Sequence, residues 1–270
     1  MSEAANTESV NLLQLTDTHL FKDAAGKLLG ITTQDSFHAI LHEIDRLALP
    51  FDLILATGDI VQDQTQEAYA HFVSGIARWQ QPCYWIGGNH DERSNMGQIM
   101  QNSQLRADKC IDVGANWIVV LLDSQVEGYP YGILSAEQLD FLQDRLVAYP
   151  HHHVLISLHH NVLPVGSAWL DQHKLKNSAQ FWEVVDKYPQ VKAVLGGHVH
   201  QEFDQMYHGV RIITSPATCV QFKPHSKDFA LDERQPGWRR LTLNRNGELQ
   251  TQVYRLPGHR YQPDTQFSGY

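Results

Sequence analysis

Short apolar runs alternate with amphipathic segments along most of the chain, and this pattern predicts strands and helices in turn. The apolar runs hold four to six residues, as buried strands of a parallel sheet do. They predict strands at Leu12–Leu15, Leu53–Ala56, Cys83–Ile86, Trp117–Leu122, Val154–Leu158 and Val191–Leu195. Apolar residues three or four positions apart predict helices at Ser36–Leu47, Glu67–Trp79, Ser135 to about Val147 (opened by a capping box, Ser135 to Gln138) and Ala179–Lys187. The alternation indicates an α/β fold in which helices cover parallel strands.

The last part of the chain has a different pattern, with paired strand-like segments around short turn sequences. The pairs are Phe203–Tyr207 with Val210–Thr214, and Trp238–Leu243 with Leu249–Tyr254. Each pair encloses a glycine-containing turn sequence and therefore predicts a β-hairpin. Because no repeat or linker interrupts the sequence, we expect one domain over residues 1–270, with a C-terminal hairpin and tail (about 225–270) packed on it.

Composition limits the partners and the compartment. The chain carries 21 Lys and Arg against 30 Asp and Glu, so its net charge is −9. An acidic chain offers no overall field that attracts nucleic acid or a membrane surface, and we expect neither as a partner. Three cysteines without a CxxC pair favour a reducing compartment. The first residues lack the basic start and apolar run of a signal peptide, and no stretch resembles a membrane span, so we expect a cytoplasmic protein.

Polar residues of metal-binding types follow five of the predicted strands, directly beyond the point where each strand ends. These segments are Asp17-Thr18-His19, Gly58-Asp59, Gly88-Asn89-His90-Asp91, His159-His160 and Gly197-His198-Val199-His200. In an open α/β sheet, ligands bind beyond the carboxyl ends of the strands, so these distant residues can meet at one place. Imidazoles, carboxylates and an amide oxygen together suit Fe, Mn or Zn rather than Ca or Mg alone. The ordered set, more than any single motif, predicts a two-metal site in which Asp59 bridges the ions.

The same ordered motifs resemble those of the calcineurin-like metallophosphoesterase superfamily. Within it, the chain is most similar to the bacterial class III 3',5'-cyclic AMP phosphodiesterases. That closer similarity lies in Thr16–Leu20, Trp169–His173, Thr218–Pro224 and Gln262–Asp264. The resemblance covers nearly the whole chain and implies a four-layer αββα sandwich, with two mixed sheets flanked by helices.

The resemblance also implies two divalent ions per chain, Fe or Mn, with Zn as a further candidate. The ligands implied for the first ion are Asp17, His19, Asp59 and His200. Those implied for the second ion are Asp59, Asn89, His159 and His198. Many relatives follow the histidine of the fourth motif with His-Pro, whereas this chain has His159-His160-Asn161-Val162, so both histidines are candidates. The later Leu163-Pro164 favours His159.

The implied reaction is hydrolysis of 3',5'-cyclic AMP to 5'-AMP, with a metal-bridging hydroxide as the nucleophile. His90, beside the ligand Asn89, is the candidate that contacts the phosphate and protonates the leaving 3' oxygen, and Asp63 or Asp91 is expected to orient it. Asn89 and Asp59 complete the predicted catalytic set. The predicted contacts to substrate come from His19, Asp59, Asn89, His90 and His200.

Several alternatives remain open from the sequence. Trp169 and His173 lie in a long segment that could cap a substrate pocket, where Trp169 would either stack on a base or pack in the core. His160 is a further pocket candidate that could support a ligand from behind. The metal site would equally serve a broader phosphodiesterase or phosphomonoesterase, or a non-catalytic binding module of the same fold. Both a monomer and a homodimer are compatible with the sequence.

Overall fold

A computed structural model describes residues 8–269. Its strands are β1 Ser9–Leu15, β2 Lys27–Leu28, β3 Ile31–Thr32, β4 Leu53–Thr57, β5 Cys83–Ile86, β6 Leu105–Arg106, β7 Cys110–Gly114, β8 Trp117–Leu121, β9 His153–Ser157, β10 Val191–Gly196, β11 Phe203–Tyr207, β12 Val210–Thr214, β13 Gln221–Phe222, β14 Leu231–Asp232, β15 Gly237–Asn244 and β16 Leu249–Arg255. Its helices are α1 Thr33–Leu47, α2 Gln66–Ile76, α3 Arg93–Ile99, α4 Ala136–Ala148 and α5 Ser178–Val185, with a 3₁₀ turn at Leu170–Gln172.

Two six-stranded mixed sheets form the centre of the fold. The first has the order β16-β15-β1-β4-β5-β6, in which β1, β4, β5 and β6 are parallel. The second has the order β11-β12-β10-β9-β8-β7, in which β12, β10, β9 and β8 are parallel and the two edge strands are antiparallel. The carboxyl ends of the parallel strands in each sheet lie at the same edge of that sheet, and polar loops follow them.

Alternation along the strands explains why the two sheets stack with helices outside them. In the first sheet, Leu12 and Leu55 belong to a buried cluster shared with the second sheet. Their neighbours Leu13 and Ile54 point the other way, into a cluster with α1 and α2. Each such leucine or isoleucine contributes roughly 1.5–3 kcal/mol when fully buried.

The second sheet follows the same rule. Val119 and Leu155 face the first sheet, whereas Ile118 and Val154 pack with helices α4 and α5. The layers therefore run helix, sheet, sheet, helix, and the predicted four-layer αββα sandwich is confirmed. Within residues 8–269, no helix combines the length and apolarity that crossing a membrane would require. Residues 1–7, on which the signal-peptide expectation partly rests, lie outside the described part.

Several predicted boundaries were wrong by a few residues. Helix α2 ends at Ile76 rather than Trp79, because the chain turns there and the Trp79 indole donates to Asp45 of α1 at 2.7 Å. Helix α5 ends at Val185 rather than Lys187, in tight turns ahead of Pro189. A tertiary contact, which the local pattern does not contain, accompanies the end of α2, whereas local turns end α5.

The predicted capping box at the start of α4 is only half formed. Ser135 Oγ accepts a hydrogen bond from the backbone N–H of Gln138 at 3.3 Å, as predicted. The Gln138 side chain instead accepts from the backbone N–H of Asp123 at 2.8 Å. It therefore ties the helix to the loop after β8 rather than to its own N-terminus.

The predicted C-terminal hairpin is β15 and β16, joined by a short turn. Strand β15 pairs along the whole of β1, from Ser9 opposite Asn244 to Gln14 opposite Arg239. It therefore completes the first sheet. The tail that follows is irregular, and the Tyr261 hydroxyl donates to the backbone carbonyl of Asp35 at 3.1 Å.

Candidate metal centre

The polar residues after β1, β4, β5, β9 and β10 meet at one edge of the sandwich. Five of them have a backbone in the left-handed region, which non-glycine residues rarely adopt. Their φ values are 53° at Asp17, 45° at His19, 49° at Asp59, 66° at His198 and 48° at His200. Such conformations each cost on the order of 1–3 kcal/mol and cluster at functional sites, where the surrounding structure holds them.

Three groups of side chains in this cluster offer ligand atoms within 4.8 Å of one another. The groups are Asp17 with His19 and His200, His19 with Asp59 and His90, and Asp59 with His159 and His198. The first and third groups each hold three of the four residues in a predicted ligand set. The second shares His19 with the first group and Asp59 with the third, and it adds His90, which was predicted to lie beside the ions rather than on them.

Asp59 occupies the middle of the cluster. Its Oδ2 lies 3.8 Å from His19 Nε2 on one side and 3.2 Å from His159 Nε2 on the other. Burial alone would raise the pKa of Asp59, but the positive charges of His159 and His90 outweigh it and hold that pKa well below the ordinary value. A buried carboxylate kept ionised between two groups of imidazoles is suited to bridge two cations.

Backbone and amide groups outside the cluster orient the imidazoles. The Nδ1 partners are Gln62 Oε1 for His19 at 2.7 Å, Val220 O for His200 at 2.9 Å and Thr57 O for His159 at 2.8 Å. Because these oxygens accept, each Nδ1 carries a proton and each Nε2 faces the centre. With Nε2 unprotonated, such a ring binds a metal through that atom.

Close packing around the ligands depends on glycine. Gly58 has φ +98°, and a Cβ there would lie 2.5 Å from His159 Nδ1. At Gly197, a Cβ would lie 2.7 Å from the Asp17 carboxylate. Any larger residue at either position would displace a predicted ligand.

Buried polar atoms without hydrogen-bond partners show that the cluster fits a cation. Among residues 8–269, these atoms include Asn89 Oδ1, His159 Nε2 and His198 Nε2. Leaving such atoms unpaired costs about 1–3 kcal/mol each, and a metal ion would satisfy all three. The donors are imidazole nitrogens, carboxylates and an amide oxygen, a set that suits divalent metals. The cluster is therefore a candidate divalent-metal centre.

The pKa shifts agree with this donor set. Burial lowers the pKa of His19 to about 3 and that of His198 well below its ordinary value, so both imidazoles stay neutral and able to bind. For His159, burial opposes the proton, but Asp59 and Asp17 raise its pKa to about 9. A cation that binds through His159 Nε2 must therefore displace a proton.

His90 lies at the rim of the cluster and is only half-buried. Its backbone N–H donates to Asp59 Oδ1 at 2.8 Å, and its ring meets the His19 ring edge-on at 5.0 Å. The two carboxylates expected to orient it are engaged elsewhere. Asp91 accepts from the backbone N–H groups of Gly88 and Ile60 and from the Tyr69 hydroxyl, and Asp63 accepts from Lys22 and Thr65. Both carboxylates therefore fasten loops, and a role for either in orienting His90 stays a prediction.

His159 and His160 point to different places. His159 belongs to the group with Asp59 and His198, whereas His160 belongs to none of the three groups. His160 Nδ1 hydrogen-bonds Ser124 Oγ at 2.8 Å, and its ring lies 4.7 Å from that of His198. His160 thus packs behind a predicted ligand.

The ring of Phe222 lies between Trp169 and His200 of the candidate metal centre. Trp169 contacts Phe222 and Phe229 edge-on at 5.0 and 5.1 Å, and Phe222 stacks on His200 at 4.4 Å. His173 meets Trp169 at 6.4 Å. Trp169 therefore packs against Phe222, the ring that stacks on His200.

The sequence analysis missed Gln62, which orients His19, and Arg93, which lines a cavity beside Asn89. Gln62 could have been found from its position three residues after Asp59, at the same strand end. No local signal marks Arg93, because its position beside the centre depends on how α3 meets the loop after β8.

Comparison with known proteins agrees with this architecture. A sequence model of calcineurin-like phosphoesterases matches residues 10–202. The chain is 47% identical over 269 residues to a 3',5'-cyclic adenosine monophosphate phosphodiesterase (CpdA) of Vibrio vulnificus, covering 100% of this chain and 98% of the relative. It is likewise 47% identical over 266 residues to the protein of that name in Escherichia coli, covering 98% and 97%.

Solved structures add evidence for the fold. A dimetal phosphatase from Danio rerio superposes with a TM-score of 0.64 at 16% identity, covering 92% of this chain and 99% of that one. A purple acid phosphatase from yellow lupin seeds gives 0.67 at 12% identity, covering 96% and 53%. At such low identity, the likeness shows the shared fold alone.

Proposed function

The chain belongs to the calcineurin-like phosphoesterase family, and on that premise we propose that it hydrolyses 3',5'-cyclic AMP to 5'-AMP at a dinuclear metal centre. The observation that carries the proposal is Asp59, a buried carboxylate shared by two groups of ligand atoms. Full-length relatives at 47% identity, named as cyclic AMP phosphodiesterases, support the choice of substrate.

Within the centre, the proposed ligands of the first ion are Asp17, His19, Asp59 and His200, and those of the second are Asp59, Asn89, His159 and His198. Two divalent ions supply Lewis-acid stabilisation of the charge on the phosphoryl group when bound. Asp17 and Asp59 bring two negative charges, which offset half of the four positive charges of two such ions. Gln62, Val220 and Thr57 hold three of the imidazoles in the metal-binding tautomer.

His90 is the proposed general acid. Hydrolysis forms a new P–O bond to water and breaks the P–O3' bond, so the 3' oxygen must gain a proton as it leaves. His90 is half-buried at the rim, where substrate can reach it, and its backbone N–H is tied to Asp59. Its ring can therefore donate to a leaving group at the centre while Asn89, His19 and His200 contact the phosphate.

Several finer points belong to the same proposal. The ions are Fe or Mn, with Zn also compatible with these donors, since availability often decides among them. The protein is cytoplasmic, and residues 1–270 form one domain completed by the β15–β16 hairpin. The cyclic nucleotide is its expected ligand, rather than nucleic acid or membrane.

Metal quantification and a substrate panel on one preparation test the proposal. We expect about two ions per chain after reconstitution with Fe or Mn, and a preference for 3',5'-cyclic AMP over 2',3'-cyclic AMP and p-nitrophenyl phosphate. Equal efficiency on all substrates would replace it with a broad phosphoesterase. Fewer than about one ion per chain, with no turnover, would indicate a binding module.

A further inference from the structure

A cavity of about 250 Å³ opens beside the candidate metal centre and shares Asn89 with it. Its lining includes Gln64, Asn89, Glu92, Arg93, Gln125 and Glu127. Asn89 is a proposed ligand, so a substrate whose phosphate lies at the centre can extend directly into this space. The volume falls just below the roughly 300–1,000 Å³ typical of drug-sized ligands, which suits one nucleoside rather than a longer fragment.

Arg93 forms a rigid wall of the cavity. Its Nε donates to Asp123 Oδ2 at 3.0 Å and its Nη2 donates to the backbone carbonyl of Gln125 at 2.8 Å. The Gln125 side chain in turn donates to the backbone carbonyl of Asp91. Two anchors fix the plane of the guanidinium, yet the side chain is 53% exposed. A fixed, exposed guanidinium plane is a surface on which bases stack.

Charge in the cavity selects against further phosphates. Asp91, Glu92 and Glu127 contribute three carboxyl groups against the single guanidinium of Arg93. Both Glu92 oxygens accept from backbone N–H groups of α3, from Ser94 at 2.9 Å and Asn95 at 2.7 Å. Glu127 is exposed in the loop after β8. The balance favours a neutral ligand with N–H and O–H donors over one that carries a second phosphate.

A neighbouring cavity of about 220 Å³ is lined by Trp85, Met96 and Lys109 among others, and it shares Arg93 with the first cavity. Asn89 is absent from its lining within residues 8–269. The first cavity is therefore the one continuous with the proposed ligands.

From this geometry we infer that the cavity beside Asn89 binds the nucleoside part of the cyclic mononucleotide, with the purine stacked on the Arg93 guanidinium. This inference rests on the proposed function, because it takes the phosphate to lie at the metal centre. It makes Arg93 a specificity residue that acts on the base, away from the phosphoryl group.

The variant Arg93→Lys tests this inference, because lysine keeps the positive charge but lacks the planar guanidinium. For 3',5'-cyclic AMP, we expect KM to rise roughly 3- to 30-fold, the range typical of cation–π contacts, with metal content unchanged. For methyl p-nitrophenyl phosphate, which has neither ribose nor purine, we expect unchanged kinetics. Adenosine should inhibit methyl p-nitrophenyl phosphate hydrolysis competitively, and more weakly in the variant by a similar factor.

Arg78→Lys is the matched control, since Arg78 also pairs with a carboxylate, that of Asp45 at 2.9 Å, on the outer helices. It should leave all three measurements unchanged. If Arg93→Lys matches wild type on cyclic AMP and adenosine, or slows both substrates equally, the inference is wrong. If the wild-type protein does not hydrolyse cyclic AMP, but adenosine inhibits it and inhibits Arg93→Lys more weakly, the proposed substrate is wrong and the nucleoside site is supported.

Discussion

Gly88→Ala would place a methyl group against the centre of the proposed metal site. A Cβ at Gly88 would lie 2.5 Å from the backbone nitrogen of Asp59 and 2.7 Å from His159 Cε1, and still closer to Asp59 Oδ1. Ordinary contacts begin near 3.4 Å, so the Asp59 backbone must yield about 0.9 Å and His159 about 0.7 Å. Gly88 has no left-handed φ, so the effect of the substitution is steric rather than conformational.

A displacement of this size acts on both proposed ions, because Asp59 lies between His19, a proposed ligand of the first ion, and His159, a proposed ligand of the second. A misplacement near 1 Å at a reacting centre costs roughly 10²-fold in rate. That factor corresponds to about 2.7 kcal/mol of lost transition-state stabilisation. We therefore expect kcat/KM for 3',5'-cyclic AMP to fall about 10²-fold, together with weaker metal retention.

Gly87→Ala is the adjacent control, since a Cβ there meets nothing closer than 3.7 Å. Both variants would be assayed for kcat/KM and for metal per chain at fixed free metal, and circular dichroism would verify that each one folds. If folded Gly88→Ala kept activity and metal within threefold of Gly87→Ala, the central position of Asp59 would be refuted.

The remaining predictions concern four further side chains. Asp59→Ala should lose both ions and all turnover, whereas His90→Ala should keep its ions and lose roughly 10²–10⁴-fold in kcat. Gln62→Leu removes the acceptor for His19 Nδ1 and should weaken metal binding roughly 10–100-fold. Burial lowers the pKa of Lys109 from its ordinary value of 10.5 to about 8. Between these two pH values the unfolded chain binds more protons than the folded chain, so the free energy of unfolding rises with pH. Lys109→Met should flatten that rise by about 2 kcal/mol in denaturant titrations at pH 8 and 10.

Each of these has an outcome that would contradict it. Near-normal turnover by Asp59→Ala would reject the bridging role, and loss of metal from His90→Ala would make His90 a ligand. Gln66→Leu, a change at the start of α2, is the control for Gln62→Leu. Equal metal affinity of these two variants would contradict the role of Gln62. Parallel pH profiles for wild type and Lys109→Met would show that the buried amine does not set the slope.

Much of the fold and the set of site residues could be predicted because the relevant signals are local. Runs such as Cys83–Ile86 are short and wholly apolar, and the structure has that strand with the same bounds. The polar residues beyond the strands carry the chemistry in their types and order. Element ends were less predictable, as at Ile76, where a contact between Trp79 and Asp45 decides the turn.

The sequence by itself determined the alternation of strands and helices and the strand-end segments, because periodicity and residue type are properties of short stretches. Only the tertiary structure decided which of the adjacent histidines faces Asp59: His159 does, while His160 hydrogen-bonds Ser124. Only the tertiary structure likewise decided that Asp91 accepts hydrogen bonds that hold loops together, and that Arg93 lines a cavity beside Asn89. The reason is physical, since the direction of a side chain after a strand end depends on partners far away in the chain.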